Sequence, residues 1–262
     1  MAGKLRRLEA LTQARREQRR KRGALVLQRH EWKIVVQRET AAIEVRPIEP
    51  ASPARRMVAE LMILTNELAA QLSRERQLPT IYRGQAAPTT PLPTLDPTDP
   101  LALVLLRGLI TPAFLSLRPE THWALGLPAY TQVTSPLRRY GDLVLQQQIV
   151  AHLAGDPLPY DETALLTVLG TLERSEQAMR RLESSVTQRW ALEYVARQDR
   201  ALPRRGWIVG EVGGGYKVRL AECGAEGLLN ARPGSYRLGQ ELLLRVERLI
   251  PRRGTMRLVP AA

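Results

Sequence analysis

The chain has 262 residues, enough for one good-sized core and a small module, and 44% of them are hydrophobic. No apolar run is long enough to cross a bilayer, and a single cysteine excludes an internal disulfide or a zinc cluster, which favours a reducing, cytoplasmic location. The net charge of +13 is concentrated at the ends, because residues 1–38 carry 12 Lys/Arg and 3 Asp/Glu, and residues 201–262 carry 11 and 5. This distribution predicts a polyanionic partner. Nucleic acid is favoured over a membrane, since no amphipathic Trp or Phe anchor accompanies the basic segments.

The first part of the chain predicts two helices separated by short strands. Leucines spaced on one face predict a helix over residues 3–21 that ends at Gly23. Its cationic end either meets a nucleic acid backbone or is an ordinary solvated helix end, favoured by the helix dipole. Three short strands are predicted next, at residues 24–27, 32–37 and 41–46. Ser52 and Pro53 then start a second helix, which runs from about residue 54 to residue 74.

One acidic residue of the second helix, Glu60, lies at the margin of its apolar stripe. The residues of that stripe are Met57, Leu61, Leu64, Leu68 and Leu72. A glutamate in this position is either solvated through its flexible stem or a buried acid with a catalytic task. After the helix, residues 84–100 are rich in proline and predict a stiff, extended connection. A short helix near 101–106 and a strand near 114–117 follow, and His122 receives no predicted catalytic role.

The stretch from Thr134 to Asp142 carries the most specific chemistry. Thr134 or Ser135 can cap a helix whose first residue is Pro136. Such a helix start exposes backbone N–H groups and a positive dipole end, and two arginines add guanidinium groups there, which suits a phosphate anion. Arg138 is therefore a candidate phosphodiester clamp. The alternative is an ordinary surface ion pair between Arg138 and Asp142.

A long third helix is predicted from Asp161 to about residue 198. Its buried seam is predicted to contain residues at alternating spacings of four and three, namely Leu165, Leu169, Leu172, Glu176, Met179, Glu183, Val186 and Trp190. Burial of an unpaired carboxylate is costly. We therefore expect Glu176 and Glu183 to face water, to pair with a cation, or to have a functional role.

From Gly206 onward the pattern changes to five short strands. They resemble an S-one-type RNA-binding domain, a five-stranded OB barrel. Its aromatic faces for stacking on bases are predicted to be Trp207 and Tyr216, although in a barrel this small some aromatic residues belong to the core. The predicted backbone contacts are the basic residues Lys217, Arg219, Arg232 and Arg237.

Three stretches resemble the RNase II (RNB) family of processive 3′ to 5′ exoribonucleases. Residues 130–143, YTQVTSPLRRYGDL, closely match the family signature; residues 58–67, VAELMILTNE, and residues 78–83, LPTIYR, are similar to flanking family segments. The chain departs from the family pattern at Gln132, Gln146 and Gln147, where many relatives have histidine or arginine.

The resemblance implies an α+β fold, with the C-terminal half of an RNB catalytic domain at residues 1–202 and an OB β-barrel at residues 203–262. It implies hydrolysis of single-stranded RNA from 3′ to 5′ with release of nucleoside 5′-monophosphates. The implied catalytic residues are Arg138, which stabilises the scissile phosphate, and Glu60 and Glu183, which support the site and the RNA 3′ end. The implied RNA-binding residues of the signature are Tyr130, Thr134, Ser135 and Arg139.

Family hydrolysis uses magnesium held by clustered aspartates, and such a cluster is not found in this sequence. Residues 1–95 contain no aspartate, and Asp96 and Asp99 do not match the cluster spacing. We therefore expect no magnesium bound by this chain alone and a chain that begins partway through the catalytic domain. Three hypotheses stay open: a truncated product or half of a split enzyme whose companion chain supplies the aspartates, a catalytically inactive RNA-binding or regulatory remnant, and a decayed gene product.

Overall fold

The computed structural model describes residues 2–26, 31–48, 52–96, 99, 101–106, 108–199 and 201–261. Its helices are α1 Ala2–Lys21, α2 Pro53–Glu75, α3 Ala102–Leu105, α4 Tyr140–Ala154 and α5 Glu162–Ala196. Its strands are β1 Glu31–Val36, β2 Ile43–Ile48, β3 Tyr82–Gly84, β4 Phe114–Ser116, β5 Arg204–Val212, β6 Gly215–Leu220, β7 Glu226–Asn230, β8 Glu241–Ile250 and β9 Thr255–Pro260. None of the described helices is long and apolar enough to span a membrane.

The chain separates into two compact units that interleave along the sequence. The first unit consists of Met1–Leu27, Ala51–Thr94 and Gly108–Gln177, and the second of Gln28–Pro50, Leu95–Arg107 and Ala178–Ala262. The mixed helix and strand content confirms the predicted α+β class. The division at residues 202 and 203 stays a prediction.

The first unit is built on helices that pack around one short antiparallel pair, β3 with β4. Helix α1 packs along α2, and α1 ends as predicted at Gly23, which has a φ of 89°. The predicted strand at 24–27 is wrong for its described part, because the backbone N–H of Ala24 donates to the Arg19 carbonyl at 2.9 Å and closes the helix end. Leu27 lies outside the described residues.

Helix α5 shows where the predicted seam holds and where it fails. Leu165 and Leu172 are buried and pack with Val144 of α4, as the spacing predicts. Met179 and Val186 are exposed, so the prediction of a continuous buried seam is wrong for the middle of the helix. At the start of the helix the Asp161 carboxylate accepts the N–H of Ala164 at 2.7 Å, which confirms the predicted cap.

The second unit contains a closed barrel with the strand order β5-β6-β7-β9-β8, in which β7 and β9 run parallel and the other pairs antiparallel. This confirms the predicted five-stranded OB-like barrel. Alternating apolar side chains fill its interior, among them Val218, Leu229, Leu244 and Leu258. A Cβ at Gly215 would overlap the carbonyl oxygen of Leu229, so glycine is required where β6 and β7 approach closely.

The barrel core extends beyond the five strands within the same unit. Leu192 and Val195 from the second half of α5 are fully buried among barrel residues. Ile34 and Val45 of the β1–β2 hairpin pack against the same cluster. The core of the second unit is therefore larger than the barrel alone.

Candidate nucleic-acid interface

The signature stretch forms a turn, and the helix after it starts later than predicted. Helix α4 begins at Tyr140 rather than at Pro136, and the capping residue Arg139 makes no side-chain cap bond. The N–H groups of Arg138 and Arg139 both donate to the Ser135 carbonyl, at 3.2 and 3.0 Å, which holds a turn. The prediction that Arg138 lies in the first helical turn is thus wrong, and the helix dipole does not explain its role.

A buried carboxylate in the first turn of α4 fixes this loop. Asp142 is 2% exposed, and its carboxylate accepts the backbone N–H of Ser135 at 2.8 Å and the guanidinium of Arg139 at 2.7 Å. The Arg139 guanidinium also lies 3.4 Å from the Thr134 hydroxyl. Asp142 therefore pairs with Arg139 and not with Arg138, which contradicts the alternative of an Arg138–Asp142 surface pair.

Arg138 is the arginine of the loop that remains available to a ligand. Its side chain is exposed, and its one described polar contact is a long hydrogen bond of 3.4 Å to the Ser135 hydroxyl. Leu137 beside it is fully exposed, so the tip of the loop projects from the unit. A guanidinium held in this way can accept a phosphate without first breaking an ion pair.

Tyr130 and Asn66 hold the signature stretch in place through buried hydrogen bonds. Tyr130 is buried, and its hydroxyl oxygen accepts a hydrogen bond from the Asn66 side-chain amide at 2.9 Å. The Asn66 carbonyl oxygen accepts the N–H of Val133 at the same distance. The ring of Tyr130, a predicted RNA contact, therefore has no face free for a base in this structure. The residue positions the loop.

Glu60 is buried in an ion pair that the sequence patterns did not predict. Its carboxylate accepts the Arg19 Nε at 3.0 Å and a second N–H of the same guanidinium, and both side chains are 6% exposed. Arg19 also donates to the Leu125 carbonyl oxygen at 3.0 Å. Glu60 is thus buried rather than solvated, its catalytic task stays a prediction, and the cationic end of α1 serves partly to hold it.

A second half-buried group lies around Arg83 on β3. Its guanidinium is 3.4 Å from the carboxylate of Glu176 and from the Gln132 side-chain oxygen, so a cation does meet this carboxylate of α5. The ring of His122 packs edge-on against Tyr130, and its buried Nδ1 has no partner. Burial, and the charge of Arg83, lower the pKa of His122 from 6.5 to about 4.

The residues of the barrel predicted to contact RNA differ in how much of each side chain is available to a ligand. Trp207 is half-buried, and its indole N–H donates to the Glu241 carboxylate at 3.1 Å. Tyr216 is 2% exposed and packs edge-on against Tyr236, so its ring offers no free face to a base. The stacking role of Tyr216 stays a prediction, and it would require this side chain to leave the barrel core.

Lys217 and Arg219 share one carboxylate on the neighbouring strand. Glu226 lies 2.5 Å from the Lys217 Nζ and 2.7 Å from the Arg219 guanidinium. Burial raises the pKa of Glu226, but the hydrogen bonds from Lys217 and Arg219 outweigh it, and the net pKa lies below 4.5. An RNA phosphate would have to compete with this carboxylate for both cations.

Glu183 lies exposed on the second half of α5 and makes no hydrogen bond or ion pair with another described residue. Among the described parts of the chain, no three His, Cys, Asp or Glu side chains come together in a way that could hold a metal ion. The residues described here therefore do not fit the magnesium site that the family resemblance implies.

The buried Arg19 and Asn66 and the half-buried Arg83 were not singled out as functional from the sequence. Arg19 lies in a run of basic residues that was predicted either to meet a nucleic acid backbone or to be a solvated helix end. Asn66 and Arg83 belong to the family-like segments VAELMILTNE and LPTIYR, so the available signal was their presence inside those segments. Polar residues on or beside an apolar helix face need a partner when buried, which is the physical reason they pair across elements.

A family model described as the RNB domain matches residues 1–92 and 93–155, more than half of the chain. The chain is similar to the chloroplastic/mitochondrial ribonuclease II of Arabidopsis thaliana, with 29% identity over 207 residues that cover 77% of this chain and 26% of that protein. The crystal structure of the Dss1 exoribonuclease from Candida glabrata is similar with a TM-score of 0.85 and 19% identity, over 99% of this chain and 35% of that one.

Mycoplasma genitalium RNase R in complex with ribose-methylated single-stranded RNA has a TM-score of 0.83 and 19% identity to this chain, over 98% of this chain and 49% of that one. At these identities the structural likeness shows the fold. The chain spans between a quarter and a half of the length of these three proteins. The family match, the named ribonuclease relative and the shared fold together show that the chain belongs to the RNB family.

Proposed function

We propose that the chain binds single-stranded RNA and acts in an exoribonuclease of the RNase II type, which hydrolyses RNA from 3′ to 5′ and releases nucleoside 5′-monophosphates. The observation that carries the proposal is the state of Arg138. Its guanidinium is exposed at the tip of a loop that the buried Asp142 fixes, while the neighbouring Arg139 is occupied by Asp142. The loop thus offers one uncommitted cation from a rigid base.

Arg138 is the proposed phosphate contact. A guanidinium matches two phosphate oxygens at once and keeps its charge at any physiological pH. It stabilises the negative charge that develops on the scissile phosphate as water attacks. Because the loop is fixed, little reorganisation energy is needed in the transition state. Thr134 and Ser135 orient this contact, since the Ser135 hydroxyl lies beside the Arg138 guanidinium and Thr134 beside Arg139.

Glu60 supports this arrangement from inside the fold. It is held by Arg19, which also binds the Leu125 carbonyl, so it fixes the position of helix α2. The same helix carries Asn66, which binds Val133 just before the signature turn. Glu183 is proposed to support the RNA 3′ end, as the family resemblance implies.

A companion polypeptide is proposed to supply the magnesium-binding aspartates. This proposal is supported by the lack of a metal cage among the described residues and by an apolar stripe on α5. Met179, Leu182 and Val186 follow helical spacing on one face and are 44–57% exposed. An exposed apolar stripe on a helix is typical of a surface that another polypeptide covers.

Reconstitution tests this function. The purified chain is mixed with a candidate companion, an RNB-type polypeptide that carries clustered aspartates and is sought in the coding sequence just upstream, and nucleotide release from a labelled single-stranded RNA is followed with magnesium. We expect release from the mixture and not from either polypeptide alone. Arg138→Gln should slow release by about 100-fold, because one charge-stabilising donor is lost.

The control variant is Arg118→Gln, which removes the same charge from an exposed turn of the same unit and should leave the rate unchanged. The proposal fails if the mixture releases no nucleotides, or if Arg138→Gln and Arg118→Gln behave alike.

A second candidate is a non-catalytic RNA-binding protein, favoured by the same lack of a metal cage among the described residues. It predicts RNA binding that weakens as salt rises, with no nucleotide release under any divalent metal and with any companion. The two candidates therefore separate in the same assay.

A further inference from the structure

The outer face of the β8–β9 hairpin concentrates arginines. Residues 245–257 contain five arginines and one acidic residue, Glu247. All five arginines are exposed: Arg245, Arg248, Arg252, Arg253 and Arg257. Arg252 and Arg253 lie in the tight turn between the strands, which closes at Gly254 with a φ of 66°.

Two of these arginines are direct cross-strand neighbours. The register pairs Arg248 of β8 with Arg257 of β9. Side chains directly opposite each other in an antiparallel pair have Cβ atoms about 5 Å apart, and like charges in that position destabilise the hairpin. A pair of facing arginines therefore has no structural benefit of its own.

An irregularity in β8 places Arg248 on this face. The register shifts between Val246 and Arg248, so Glu247 is an extra residue in the strand. Without the shift, strict alternation from Arg245 outward and Val246 inward would turn residue 248 into the barrel. With it, Arg248 is exposed beside Arg257, and the following Leu249 enters the core.

Unlike the basic residues of β6, these arginines have no ion-pair partner among the described residues. In the described part of the chain, none of the five makes an ion pair, and Glu247 makes none with them. Lys217 and Arg219, by contrast, share the carboxylate of Glu226. Of the two basic faces of the barrel, the hairpin face can accept phosphates without losing an existing partner.

We propose that the outer face of the β8–β9 hairpin, centred on Arg248 and Arg257, is a binding surface for the phosphate backbone of single-stranded RNA. The proposal rests on the proposed RNA-binding function and locates it on the barrel. The occupant follows from charge complementarity, since closely spaced guanidiniums with no acidic partner fit a chain of phosphodiesters. The contact is with the backbone, so it is insensitive to base sequence.

The test is the affinity of the full chain for a fluorescein-labelled oligouridylate, measured by anisotropy at several salt concentrations. The double variant Arg248→Gln with Arg257→Gln should weaken binding by about tenfold and lower the salt slope by about 1. The matched control is Lys217→Gln with Arg219→Gln, which removes the same charge from β6 and should weaken binding less. The melting temperature of the hairpin variant should equal or exceed that of the wild type, because a like-charge pair is removed.

If the wild type binds the RNA and the two double variants bind equally well, the surface assignment fails and the proposed function stands. If the wild type does not bind the RNA, both fail. A hairpin variant that melts well below the wild type contradicts the assignment, because the arginines are then structural.

Discussion

At the scale of single residues, the buried charge of Glu60 is paired across two helices rather than within one. Glu60 of α2 and Arg19 of α1 are both 6% exposed and face each other. Removing one partner of such a pair leaves an uncompensated buried charge, which is far more destabilising than removing both. The pair therefore explains why a glutamate stands at the margin of an apolar stripe.

Glu60→Gln should lower the free energy of unfolding by about 3–5 kcal/mol, since Arg19 is left buried without its carboxylate. The double variant Glu60→Leu with Arg19→Met should recover most of that loss. Denaturant unfolding at neutral pH measures both. Arg20→Gln, which breaks the exposed pair with Glu17, serves as the control and should not change stability. A small loss in Glu60→Gln, together with lost nucleotide release in the reconstituted enzyme, would instead assign Glu60 a direct role.

At the scale of elements, capping bonds decide where helices begin, and the two long helices α2 and α5 differ in this respect. Asp161 accepts the N–H of Ala164 at the start of α5. Ser52 occupies the same position before α2 but makes no side-chain cap bond. The two positions form a matched pair within one protein.

Asp161→Ala should lower the free energy of unfolding by about 1 kcal/mol, because an N–H in the first turn of α5 loses its acceptor. Ser52→Ala should change it little, because no cap bond exists to lose. Thermal unfolding of both variants measures the difference. Equal losses in the two variants would contradict the assignment of a cap to Asp161 alone.

The sequence predicted the long helices and the barrel because these depend on local periodicity and turn residues. It missed the start of α4, since Asp142 draws Ser135 and Arg139 into a turn that favours a later helix start. It placed Met179 and Val186 in a buried seam because spacing alone does not say which part of a helix is covered. The ion pair of Arg19 with Glu60 joins residues 41 apart, and no local pattern reports such a contact.

At the scale of the whole molecule, stability in acid depends on two buried groups, a histidine base and a glutamate acid. His122 in the first unit has its pKa lowered to about 4 by burial and by Arg83. Glu226 in the second unit has its pKa lowered below 4.5, because the hydrogen bonds from Lys217 and Arg219 outweigh the opposing effect of burial. For both groups the unfolded chain binds a proton at higher pH than the folded chain, so acid favours unfolding.

The pH window differs between the two groups, which makes the prediction specific. The stability that neutral His122 provides is lost as the pH falls from 6.5 to about 4, by up to about 3 kcal/mol, whereas that of Glu226 is lost only below pH 4.5. Denaturant unfolding between pH 7 and pH 3.5 measures the slope. His122→Gln should flatten the curve between pH 6.5 and 4 and leave the slope above pH 7 unchanged. Glu226→Gln should lower stability above pH 4.5 and change the slope of the curve only below pH 4.5. A wild-type curve that is flat from pH 6.5 to 4.5 would mean that the His122 ring finds a partner for its buried Nδ1 when protonated.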